Sequence, residues 1–143
     1  MNTILLRDDD ILKLIPQRDP IVMVDKFGDF EEGHASTALT IERSNIFCQD
    51  GRLREPGLIE HIAQSAAAFA GFSTFQENLP PKLGYIGEIK RCRIYELPTA
   101  GEELNTELRV LAQAGGITLL HAETQVSGRK VAECQMKIFL KND

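Results

Sequence analysis

The spacing of apolar residues changes several times along the chain, and each change predicts an element. Asp8-Asp9-Asp10 before Ile11-Leu12-Lys13-Leu14 predicts a helix start, with aspartates able to cap free N–H groups and suit the helix dipole. Pro16 holds that helix to about two turns. Ile21 to Phe27 is rich in β-formers and predicts a strand, followed by a turn or bulge over Gly28 to Gly33. His34 to Ile41 alternates, with Ala35, Thr37, Leu39 and Ile41 on one side, and predicts a second strand. Glu42 to Glu55 shows no period.

Pro56 then opens the longest helical stretch. Proline suits the first helical position because the N–H it lacks would be unpaired there. Leu58, Ile59, Ile62, Ala63, Ala66, Ala67, Phe69, Ala70, Phe72 and Phe75 cover nearly every face, so the helix is expected to be enclosed. Ala66-Ala67-Ala68 keeps it thin enough for strands to pack close. Pro80-Pro81 ends the region. Four strands follow, at Tyr85 to Glu96, Glu103 to Ala114, Ile117 to Ser127 and Val131 to Leu140. Gly115-Gly116 and Ser127-Gly128-Arg129 supply the hairpin turns. Long antiparallel strands need cover on one face, and only the Pro56 helix is large enough to give it. The expectation is one α+β domain, residues 1–143, in which a sheet wraps a single helix.

Composition narrows the function. The chain carries 16 Lys+Arg against 21 Asp+Glu, a net charge of −5, which disfavours general binding to duplex nucleic acid. An apolar fraction of 43% argues against disorder. Cys48, Cys92 and Cys134 are sparse, odd in number and form no C-x-x-C pair, so neither a zinc clip nor a redox motif is signalled. The first ten residues lack a basic, apolar leader pattern. Glu60, His61, Gln64, Ser65 and Ser73 interrupt the most apolar stretch, which therefore reads as buried helix rather than a membrane span. A cytoplasmic protein without metal or redox cofactor is expected.

Few residues could carry chemistry. Glu60 stands about one turn inside the predicted helix. Held in an apolar wall it would have a raised pKa suited to general acid or base work; alternatively it favours the helix N-terminus and ends in water. Gln64 lies four residues on, where its amide could orient the carboxylate. His61 is about 100° round the helix from Glu60 and could face the site, a partner or a strand. His34 and His121 fall in alternating strands and read as structural or surface residues. Pro16-Gln17-Arg18-Asp19-Pro20 is a rigid loop that could mount a functional side chain or merely join helix to strand. The N–H groups of Glu55-Pro56-Gly57-Leu58 could hold an oxygen developing negative charge, with Gly57 permitting close ligand approach, or simply start the helix. Lys90, Arg91 and Arg93, with Lys82 and Arg129-Lys130, could dock an acidic partner or protect a strand edge.

Three segments together resemble the 3-hydroxyacyl-acyl-carrier-protein dehydratases of the hotdog fold. Leu14-Ile15-Pro16-Gln17-Arg18-Asp19-Pro20-Ile21-Val22-Met23-Val24-Asp25 is similar to the family's Leu-Pro-His-Arg-x-Pro-hydrophobic-Val-Asp segment. Ile59-Glu60-His61-Ile62-Ala63-Gln64 resembles its Glu-Ala-Met-Ala-Gln helix motif, and Gly84 to Arg93 its strand after the helix. The loop from Gly51 to Gly57 is similar to variants associated with aryl-polyene and flexirubin-type pigments.

The resemblance implies an antiparallel sheet wrapped round one long helix. It also implies a homodimer or higher even oligomer with acyl tunnels at the interface, with a heterodimer as an alternative. The substrate would ride on an acyl carrier protein or coenzyme A, the carrier docking near Lys90, Arg91 and Arg93. In such enzymes a loop histidine takes the proton α to the thioester. A helix glutamate from the other subunit protonates the departing β-hydroxyl. Glu60 matches the glutamate and Gln64 its helix neighbour; Pro20, Gly57, Leu58 and His61 would line the substrate. Position 17 is glutamine, and a carboxamide cannot serve as a base near neutral pH. A dehydratase with another base (His61, or Glu60 alone), a thioesterase using Glu60, and a silent acyl-binding or heterodimeric chain therefore all stay open.

Overall fold

The computed structural model describes residues 1–80 and 84–140. Nine strands and one long helix order as β1 (Ile4–Arg7), a 3-10 helix (Asp8–Lys13), β2 (Lys26–Glu31), β3 (His34–Thr40), β4 (Cys48–Gln49), β5 (Arg52–Leu53), α1 (Glu55–Gln76), β6 (Gly84–Ile94), β7 (Glu103–Ala114), β8 (Ile117–Val126) and β9 (Arg129–Leu140). Seven strands form one antiparallel sheet in the order β1-β2-β3-β7-β8-β9-β6. β4 and β5 are a separate small hairpin. α1 lies on one face of the sheet, as the hydrophobic pattern predicts.

Several boundaries differ from the sequence expectation. Ile21 to Asp25 lies outside the sheet, although it is as apolar as a strand. Its backbone groups bond elsewhere: the Ile21 carbonyl and Met23 N–H to the Gln64 amide, and the Met23 carbonyl to the His61 ring. β2 instead runs through Gly28, and the expected turn there is a bulge between Gly28 and Glu31, with Asp29 at φ +47°. Gly28 is required because a Cβ there would stand 1.9 Å from the Thr3 carbonyl oxygen, where β1 crosses. β1 was not expected; four residues give too short a period to read. The aspartate-led helix is a 3-10 turn capped by Arg7 without a side-chain bond, and its aspartates lie inside the first turn.

The enclosure of α1 is incomplete. The sheet side is fully packed: Leu58, Ile62 and Ala66 join Leu104, Leu108, Leu120, Val131 and Met136 in one core. Ala68 and Phe72 join Ile11, Leu14, Ile15 and Phe27 in a second. The opposite stripe, Ile59, Ala63, Ala67 and Ala70, is only partly buried. A single sheet covers one side of a helix, so an all-apolar helix leaves a face uncovered. Edge strand β6 is likewise open, with Tyr85, Ile86 and Ile89 exposed by 52%, 44% and 41%. Among the described residues no helix is long and apolar enough to cross a membrane.

Helix and N-terminal segment meet closely at Gly71, where an added Cβ would lie 2.2 Å from the Leu14 carbonyl oxygen. Backbone cannot yield as a flexible side chain can. Gly71→Ala is expected to destabilise the fold by about 1–3 kcal/mol despite alanine's better helix propensity. Urea unfolding measures it; an unchanged midpoint would show that the contact is loose.

Candidate functional site

The site grows from three polar side chains on an otherwise apolar helix. His61, Gln64 and Ser65 are all fully buried. Beneath them Thr37, Thr106 and Thr124 stand in register across β3, β7 and β8. Thr37 donates to Ser65 Oγ at 2.7 Å, and Ser65 Oγ donates back to the His61 carbonyl at 2.7 Å. The His61 ring closes the row. Its Nδ1 lies 2.7 Å from the Met23 carbonyl and must donate to it. Nε2 is then the acceptor, 2.8 Å from Thr106 Oγ1, which in turn lies 2.7 Å from Thr124 Oγ1. Buried polar groups need partners, and every group in this row has one.

Gln64 works on the neighbouring face. Its Nε2 donates to the Ile21 carbonyl at 2.7 Å and to Glu60 Oε1 at 2.9 Å. Its Oε1 accepts from Met23 N–H at 2.6 Å. One amide thus clamps the 21–23 segment and holds the Glu60 carboxylate. Glu60 is half-buried at the helix edge rather than sealed in an apolar wall, beside the partly buried stripe. This supplies an oriented carboxyl group with access to whatever covers that stripe.

His61 is no proton acceptor for a substrate. Both ring nitrogens are committed within the chain, and burial pushes its pKa down to about 4. Within the chain His61 sits in the core. The Gly57 and Leu58 N–H groups are also engaged within the chain. Both N–H groups point to the Arg54 carbonyl, at 2.9 and 3.3 Å, and Gly57 packs so tightly on Phe47 and Leu53 that a Cβ would meet them at 2.6 and 2.7 Å. Its close approach serves its own chain.

Gln17 is half-buried, and no hydrogen bond joins it to Glu60 within the chain. Its side-chain oxygen is buried and unpartnered, which costs the fold about 1–3 kcal/mol. Pro20, after a cis Asp19–Pro20 bond, is exposed. It lines a groove of about 490 Å³ with Asp8, Asp19, Asp25 and Glu42. Asp25 has its pKa raised, chiefly by burial, against a hydrogen bond from Thr40 N–H.

The expected basic cluster is partly neutralised. Lys90 lies 3.8 Å from Glu88; Arg129 pairs with Glu96 and Glu102, and Lys130 with Glu123 and Glu133. Lys82 lies outside the described residues. Among the described residues, Arg91 and Arg93 are exposed on β6 without an acidic partner. His34 faces the Asp29 carbonyl at 3.3 Å. His121, Glu123 and Glu133 converge on the outer sheet face as three groups able to hold a cation, but the Lys130 ammonium already bridges both glutamates. The threonine row was missed in the sequence. Its signal was there, as polar residues at inward positions of β3, β7 and β8.

Neutral His61 ties stability to pH. In the unfolded chain a histidine protonates near pH 6.5, in the fold near 4, so the unfolded state binds the extra proton between them. Its contribution is complete above about pH 6.5 and is lost as pH falls to about 4, a change on the order of 3 kcal/mol. Denaturant midpoints measured across that window are expected to fall in the wild type and to flatten in His61→Gln. Equal slopes would remove His61 from the account.

Comparison with known proteins follows the same lines. The family model for ApeP-like proteins (ApeP dehydratase) matches residues 9–143. The chain is 29% identical over 133 residues to the 3-hydroxyacyl-[acyl-carrier-protein] dehydratase FabZ of Actinobacillus pleuropneumoniae serotype 5b, covering 89% of this chain and 86% of that protein. It is 26% identical over 143 residues to the FabZ of Halalkalibacterium halodurans, covering 96% and 100%. Among solved structures, the dehydratase heterocomplex ApeI:P from Xenorhabdus doucetiae superposes with a TM-score of 0.84 at 19% identity, covering 93% of this chain and 91% of that one, which shows the hotdog fold. Match, architecture and site agree: the chain belongs to the ApeP-like dehydratase family.

Proposed function

We propose that this chain supplies the acid half of a two-chain 3-hydroxyacyl-acyl-carrier-protein dehydratase, with the α-proton taken by a base on a second hotdog chain. The observation that carries the reading is the fate of the candidate bases. Gln17 is an amide, and His61 is locked in the core with both nitrogens occupied. Glu60 alone is oriented, half-exposed and ionisable.

The reaction then divides between chains. The partner's base removes the proton next to the thioester carbonyl. The Cβ–O bond breaks, the Glu60 carboxyl gives its proton to the leaving hydroxyl, and water and a trans-2-enoyl thioester result. Gln64 keeps the carboxyl in place, since its other bonds anchor it to the backbone of Ile21 and Met23. The open β6 edge and the Ile59-Ala63-Ala67-Ala70 stripe offer the surface on which a second chain would seat. The neighbouring ApeI:P dehydratase is a heterocomplex, which supports a different second chain. Arg91 and Arg93 suit an acidic carrier protein, and three free thiols suit the cytoplasm.

Incubation with a 3-hydroxyacyl-carrier protein, followed by intact-mass spectrometry, tests this. The chain alone is expected to remove water slowly. Gln17→His, which restores a base, should raise the rate by about 10²–10⁴-fold, the range general-base catalysis supplies. Adding Glu60→Gln should remove that gain. Free carrier protein would mean thioester hydrolysis instead, and fast dehydration by the unaltered chain alone would overturn the two-chain assignment.

A further inference from the structure

Two of the three thiols meet at an irregularity of the edge strand. β6 pairs with β9 so that Lys90 faces Gln135 and Arg93 faces Glu133, which leaves Arg91 and Cys92 together opposite Cys134. Two residues against one make a β-bulge, and Arg91 takes φ +50° there. Cys92 is exposed on β6, while Cys134 is 1% exposed in the core. The two thiols lie within hydrogen-bonding contact across the bulge, close enough for a disulfide, whose Cα atoms span roughly 4.4–6.8 Å.

We propose that Cys92 and Cys134 form a redox-responsive dithiol, closing to a disulfide across β6 and β9 when a low-molecular-weight disulfide is the oxidant. It stands independently of the dehydratase reading. The two sulfurs have distinct roles. Burial, reinforced by the neighbouring Cys92 thiol, pushes Cys134 up to about 12, so it is a poor first nucleophile. The Cys92 thiolate attacks the oxidant, forming a mixed disulfide and releasing one thiolate. Cys134 loses its proton to water and attacks the Cys92 sulfur, forming the internal bond and releasing the second thiolate. The pair loses two electrons and two protons, and the oxidant becomes two thiols. Cys48, on β4, stands outside the pair with its thiol directed at the Glu42 carbonyl at 3.5 Å. The bond would fix the bulge of β6, the strand on which a second chain is proposed to seat.

Oxidised glutathione is the probe, added to the reduced full chain and followed by intact mass and peptide mapping after alkylation. The wild type is expected to lose two hydrogens and yield one cross-linked Cys92–Cys134 peptide. Closure should accelerate about tenfold per pH unit from 7 to 9, as the Cys134 thiolate fraction rises. Cys134→Ser should stop at a glutathione adduct on Cys92, and Cys92→Ser should leave Cys134 reduced. A lasting adduct on wild-type Cys92, with Cys134 still alkylated after denaturation, would overturn the proposal, as would a crosslink through Cys48.

Discussion

The helix of this protein is held by polar seams as much as by its apolar bulk. His61, Gln64 and Ser65 are buried among alanines and leucines, where an unpaired polar atom would cost about 1–3 kcal/mol. Each is paired, and each pair fixes a geometric relation. Ser65 and His61 set the helix against the threonine row of the sheet. His61 and Gln64 hold the 21–23 segment off the sheet. Apolar packing alone would let an alanine-rich helix slide along its strands; these directional bonds admit one register. Glu60 inherits its position from that register.

The same architecture leaves the protein incomplete as a single chain. A helix apolar on every side is matched to one sheet, so the stripe through Ile59, Ala63, Ala67 and Ala70 is only partly covered. The longest open edge of the sheet carries exposed Tyr85, Ile86 and Ile89. Glu60 borders that open side, while the nearest imidazole is turned inward and serves as mortar. In the proposed reaction, a second chain would supply the base that Glu60 lacks.

Much of the fold was legible in the sequence. The long helix, the β7-β8-β9 hairpins and their two turns follow from apolar period and glycine placement, whereas β6 lies beside β9 rather than β7. Glu60 and Gln64 were legible from their four-residue spacing. What escaped did so for physical reasons. Ile21 to Asp25 reads as a strand because its side chains are those of one; the Ile21 carbonyl and the backbone of Met23 instead bond helix side chains far along the chain, which no local period reveals. His61 could not be assigned from its position alone, because its role depends on Thr106 and Thr124 from two other strands. At Gly57 the missing Cβ accommodates Phe47 and Leu53, a contact the local pattern does not show. Local pattern reports what a residue can do, and long-range pairing decides what it does.

The most direct test of the divided site is a mixing titration. Purified chain is combined in increasing proportion with a hotdog dehydratase chain that carries the loop histidine but whose own helix glutamate is replaced by glutamine, and dehydration of a 3-hydroxyacyl-carrier protein is followed. The account predicts only slow turnover from this chain alone and none from the partner alone, a rate that rises to saturation at equal amounts, and loss of that rise with Glu60→Gln in this chain. Full activity from this chain alone, or a mixture indifferent to Glu60, would contradict it.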